Sequence, residues 1–169
     1  FQKILRLAAA LLAFWSVHVR AGELSSEQLL AQASSLVSIQ GVDGRTGTRR
    51  TGSGVVVNPK QVITACSLVA GWAGYEIFSA GHSFPATLLI ADQQKNLCLF
   101  TAEGLPAPPV LRGSTADLTM MMPVWVIRQS GSAPAPLEAA SVTQLRGGKP
   151  PLIETTAAGG SESVGGALL

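Results

Sequence analysis

From residue 35 onward the chain is built from short apolar runs, alternating or continuous, each stopped by glycine, proline or a polar cluster. Leu36-Val37-Ser38-Ile39 is β-branched and partly alternating, which predicts a strand over residues 35–42. After a Gly/Thr-rich loop at 43–51, Gly52-Ser53-Gly54-Val55-Val56-Val57 predicts a strand closing in the turn Asn58-Pro59-Lys60, and Gln61-Val62-Ile63-Thr64-Ala65 predicts its hairpin partner. Residues 77–90 predict a second hairpin with Ala80-Gly81-His82-Ser83 at its turn. Met122-Pro123-Val124-Trp125-Val126-Ile127 and Ser141-Val142-Thr143-Gln144-Leu145 predict two more strands, with Met120-Met121-Met122 filling core gaps at the start of the first. Residues 153–169 predict a strand entering a Gly/Ser loop and another leaving it. The one helical signal is a capping box at Ser25-Ser26-Glu27-Gln28, followed by Leu29, Leu30 and Ala33 as one apolar face.

Ahead of these elements the pattern changes. Lys3 and Arg6 precede an apolar run from Leu7 to Val17, and Val19-Arg20-Ala21 places compact residues at the cleavage-determining positions, so residues 1–21 are expected to be a secretory signal peptide. The run is shorter than the roughly 20 residues of a membrane anchor. Cleavage takes Lys3, Arg6 and Arg20 from the twelve basic residues and none of the ten acidic ones, leaving nine against ten. The mature charge of −1 gives no argument for nucleic acid or an anionic surface as partner. Arg45, Arg49 and Arg50, the only basic cluster, are expected in a solvated loop.

Composition agrees with the pattern. Forty-seven per cent hydrophobic residues with 18 glycines and 10 prolines imply an all-β protein of short strands. The 148 residues left after cleavage suit one domain but are short for a pair of barrels, which run to about 200 residues or more. The chain stops in an apolar strand, so C-terminal strands are expected to be missing.

Several segments carry a family resemblance. TGSGVVVNPKQVITACSLV at residues 51–69 resembles the segment that holds the catalytic histidine in trypsin-like serine peptidases, most closely their HtrA/Deg branch. Ser67 stands at the base position. Ala91-Asp92-Gln93-Gln94-Lys95-Asn96-Leu97-Cys98-Leu99-Phe100 resembles the segment with the base-orienting aspartate, and Asn96 stands at that position while Asp92 keeps an earlier one. Glu162-Ser163-Val164-Gly165-Gly166-Ala167-Leu168 resembles the Gly-Asn-Ser-Gly-Gly-Pro-Leu nucleophile loop, with Val164 at the nucleophile and Glu162 at the preceding glycine. The resemblance implies a double six-stranded β-barrel: a helical lead-in at 22–34, a first barrel at 35–102, a Pro-rich linker at 103–116 and an incomplete second barrel at 117–169.

Acyl transfer by this family requires a nucleophile, a base within reach of it, a carboxylate behind the base and N–H donors for the oxyanion. The resemblance places valine, serine and asparagine in the first three roles. Valine has no nucleophile, serine is no base at neutral pH and asparagine is uncharged. A carboxylate at Glu162 would repel a developing oxyanion. The implied protein is an exported, periplasmic or secreted pseudoprotease that binds peptide or protein, or supports an assembly or oligomer. The alternative is an active serine endopeptidase in which Ser163 or Ser161 serves as nucleophile after a shift in the alignment. That reading lacks a base, because His18 lies in the signal and His82 at a hairpin tip.

Cys66 and Cys98 stand where the family usually has alanine, each beside a substituted triad position and on neighbouring strands. Two readings stay open: a disulfide worth about 2 to 4 kcal/mol, or two small buried apolar residues. No metal-ligand spacing, phosphate loop or dinucleotide fingerprint is present, so neither metal nor cofactor is expected.

Overall fold

The computed structural model describes residues 25–127, 137–148, 151–158 and 167–168. Six antiparallel strands, β1 (Leu36–Asp43), β2 (Arg49–Asn58), β3 (Gln61–Ala65), β4 (Trp72–Ser79), β5 (His82–Asp92) and β6 (Leu97–Ala102), close into a barrel in the order β1-β2-β3-β6-β5-β4. The period-2 pattern decides what faces inward: Val37 and Ile39 on β1, Val62 and Thr64 on β3, and Cys98, Phe100 and Ala102 on β6 are all buried. Phe100 meets the Tyr75 ring edge-on at 4.8 Å, and Trp72 stacks on Tyr75 at 6.3 Å, so one aromatic column packs within the otherwise aliphatic core.

The turns follow local chemistry. Ala80 and Gly81, with φ of 49° and 80°, supply the two left-handed centres of the tight β4–β5 hairpin, and Lys60 takes the left-handed position after Pro59. β7 (Pro123–Ile127), β8 (Leu137–Arg146), β9 (Leu152–Thr155) and β10 (Ala167–Leu168) form a second sheet in the order β10-β7-β8-β9. Its core is Val124, Ala140 and Val142, with Met122, Val126, Leu145, Ile153 and Ala157 packed around them.

Between the sheets the proline-rich segment is laced to the barrel: Val110 N–H donates to the Val56 carbonyl at 2.8 Å, and Ala107 is buried in the barrel core. Helix α1 (Ser26–Ala33) opens with the capping box, Ser25 and Gln28 each bonding the other's backbone N–H, and its Gln32 accepts from Leu111 N–H at 3.3 Å. Among the described residues no helix is long and apolar enough to cross a membrane.

Several expectations need correction. Leu30 does not share the buried face of Leu29; it is 71% exposed, because adjacent helical residues point about 100° apart. Met120 and Met121 lie on the surface in a turn where Met121 has φ 65°, and only Met122 packs against the second core. Arg49 and Arg50 open β2 rather than sitting in a loop, and Arg50 pairs with Asp43 at 3.6 Å. His82 does stand at the hairpin tip, as the first residue of β5, paired with Ser79 across the Ala80-Gly81 turn.

Candidate functional site

Where β3 ends the chain makes a single helical turn, α2 (Cys66–Val69), which the sequence pattern had not announced. Its N-cap residue is Ala65, which has no side chain to bond the free N–H groups of the first turn. Asn96, thirty residues away, supplies those bonds. Its carbonyl accepts from Cys66 N–H at 3.1 Å and its side-chain Oδ1 from Ser67 N–H at 2.7 Å. A backbone N–H can only donate, so the amide oxygen must face it. That leaves Asn96 Nδ2 to donate to Ser67 Oγ, at 3.1 Å.

Three features hold this clasp. β3 and β6 pair directly beside it, Thr64 with Cys98 and Ala65 with Leu97. A disulfide joins Cys66 to Cys98 with Cα atoms 5.0 Å apart and both residues 1% exposed. The turn between β5 and β6 then presents Asn96 at φ 56°, a left-handed conformation that asparagine tolerates better than most residues. Asp92 organises that turn: its Oδ1 accepts from Lys95 N–H at 3.0 Å and its Oδ2 pairs with Lys95 Nζ at 3.0 Å. The Lys95 backbone N–H, ahead of its ammonium group, holds the Asp92 carboxyl below the usual carboxylate range.

On the other side α2 is seated by a missing side chain. A Cβ on Gly52 would run into the Leu68 side chain, so the glycine in β2 leaves room for that leucine of α2. Ser67 and Asn96 are both exposed at this end of the barrel. Both are uncharged, and among the described residues neither meets a group able to take a proton from a hydroxyl at neutral pH. His82, the only histidine among the described residues, lies at the far end of β5, about 30 Å of strand from Asp92. The structure therefore joins Ser67, Asn96, Cys66 and Cys98 in one cluster and leaves His82 apart. Val164, Glu162, Ser163 and Ser161 fall outside the described residues.

Sequence reasoning did not foresee Asn96 as the cap of α2. The available signal was an asparagine closing a polar run, Gln93-Gln94-Lys95-Asn96, directly before a strand. Nor did it foresee that the clasp needs both a donor and an acceptor from one side chain.

A family model described as the trypsin-like peptidase domain matches residues 52–169. The fold is similar to the Rv3671c protease from M. tuberculosis in its active form, with a TM-score of 0.71 and 22% identity over 83% of this chain and 67% of that one. It is similar as well to the HtrA-type protease AlgW with tripeptide, with a TM-score of 0.72 and 16% identity over 83% of this chain and 48% of that one. Deg5 gives a TM-score of 0.71 and 21% identity over 88% of this chain and 82% of its own. No curated protein matches the sequence.

Proposed function

Since the chain belongs to the trypsin-like peptidase family, we propose that it is an exported, HtrA-like member that binds peptide or protein without cleaving it. The observation carrying this reading is the clasp itself. Ser67 and Asn96 occupy the positions that the family resemblance assigns to the base and its orienting carboxylate, and they bond each other as a neutral pair. A base must accept a proton near neutral pH and then return it to the leaving group; a serine hydroxyl held by an amide does neither. With valine at position 164 and a carboxylate at position 162, the resemblance leaves no part of the acyl-transfer machinery in its role. Loss of triad members leaves only about 10³- to 10⁴-fold acceleration over water, far below proteolysis.

What remains is a binding chemistry. Ser67 Oγ accepts from Asn96, so its own proton is available to a carbonyl of a bound peptide. AlgW was solved with a tripeptide, and a peptide is the ligand class we assign to the Ser67 end of the barrel. Scaffolding of a larger assembly uses the same non-cleaving surface. The charged-then-apolar run of residues 1–21 supports cleavage of a signal and a periplasmic or secreted location. We place the lead-in at 22–34, the first barrel at 35–102, the linker at 103–116 and the second barrel at 117–169.

The test is labelling of the purified mature protein with a fluorophosphonate probe, followed by intact-mass and peptide mapping. Absence of an adduct is the expected result. A stoichiometric adduct on Ser161, Ser163 or Ser67 would overturn the reading in favour of a serine endopeptidase with a relocated site.

A further inference from the structure

Helix α1, the linker and the second sheet border a cavity of about 410 Å³. Its walls are apolar: half-buried Leu118 and Ile153, buried Val124, and Leu111 and Leu168, which leave 78% and 37% of their surface to solvent. A space of this size suits a small organic ligand. It shares no residue with the Ser67–Asn96 clasp. The polar groups lining it are biased toward donation. Arg112 is the only charged residue at the cavity among the described residues. Its Nη2 donates to the Val57 carbonyl and to Asn58 Oδ1, both at 3.3 Å, which tethers the guanidinium to the end of β2, while Nε and Nη1 have no acceptor among the described residues. Gln32 Oε1 is taken by Leu111 N–H at 3.3 Å and Ser114 Oγ accepts from Ala116 N–H at 3.2 Å, so the Gln32 amide hydrogens and the Ser114 hydroxyl proton are left to donate.

We propose that this cavity binds a medium-chain alkyl carboxylate, its headgroup on Arg112 and its tail against Leu118, Ile153 and Val124. The site offers one positive charge and several hydrogens beside apolar walls, and no carboxylate lines it among the described residues. An anion with an apolar tail complements both features, and a carboxylate is the anion whose two oxygens match the fork of a guanidinium. A peptide matches less well. Each backbone N–H it brings into the cavity needs an acceptor, and the Gln32 and Ser114 oxygens are already engaged. An alkyl chain brings no such group, and it covers the bare surfaces of Leu111 and Leu168.

Titration of the purified protein with decanoate, followed by NMR of the methyl groups, tests this. Saturable shifts at Leu111, Leu118 and Ile153 are expected, with a dissociation constant on the order of 0.1 mM. Octanoate, two methylenes shorter, should bind about tenfold more weakly. Arg112→Gln should weaken decanoate at least about tenfold. Leu118→Trp narrows the cavity without altering the guanidinium and should abolish binding, so it decides if Arg112→Gln fails to fold. Tri-leucine, which carries a carboxylate on a peptide backbone, should bind more weakly than decanoate. Shifts that do not saturate by about 1 mM or that are confined to the exposed Leu88–Ile90 stretch, a folded variant of either kind that binds decanoate as the parent does, or tri-leucine binding the tighter of the two would each overturn the proposal.

Discussion

The two sheets of this molecule are built to different depths. The barrel holds twelve buried residues in one cluster around the Trp72-Tyr75-Phe100 column, whereas the cluster of the second sheet, among the described residues, holds three. Closure explains much of this: six strands returning on themselves give every inward side chain neighbours on all sides, while a four-stranded open sheet leaves its inner face dependent on what lies across from it. The Ser67–Asn96 clasp sits on the deep side, at the end of the β3–β6 ladder and beside the disulfide. The clasp thus stands, among the described residues, on the more deeply buried side, at the positions our reading assigns to the family's base and its carboxylate.

The largest effect that can break this comparison is a cavity in the barrel. Phe100→Ala removes a side chain with 0% exposure and is expected to cost about 3–5 kcal/mol, read by denaturant unfolding. Val142→Ala in the second sheet should cost no more than about 1–2 kcal/mol. Equal losses would mean that the two cores share the load. Next comes the crosslink. Replacing both Cys66 and Cys98 by alanine, small enough for their buried positions, is expected to cost about 2–4 kcal/mol under oxidising conditions. A reducing agent should leave the stability of that variant unchanged.

The smallest effect concerns the clasp. Asn96→Ala removes the cap of α2 and the polar side chain that makes φ 56° tolerable, for an expected loss of about 1–2 kcal/mol. Asn96→Asp keeps the acceptor for Ser67 N–H and should stay within about 0.5 kcal/mol of the parent. Acid probes the same turn. The Asp92 carboxyl is depressed in the folded state, so its contribution is complete above about pH 4 and fades as pH falls through the folded value. A fall in the protection factor of the Lys95 amide, beginning only below that pH, is the expected signature.

Much of the barrel was legible residue by residue. The Gly52–Val57 run, its turn at Asn58-Pro59-Lys60 and the partner strand through Ala65 appear in the structure as β2 and β3, and the capping box at Ser25 starts α1. Where reading failed, side chains with ordinary local preferences were overruled by distant partners. The strand pattern after Ala65 gave no hint of α2, because what completes that turn is Asn96 from another hairpin and the hollow at Gly52. Met120 and Met121 read as core residues by composition, yet the turn preceding β7 carries them to the surface. The overhang of β5 was equally invisible, since its alternation says nothing about where a neighbouring strand stops.

Alone, the sequence determined which positions point inward and where the hairpins turn, because strand period and turn chemistry are local properties. Only the tertiary structure decided that Ser67 and Asn96 bond each other, that Cys66 and Cys98 close beside them and that β5 runs beyond its β4 neighbour. Those outcomes depend on register between strands 30 residues apart, and register is chosen by the packing of the whole barrel rather than by any segment within it.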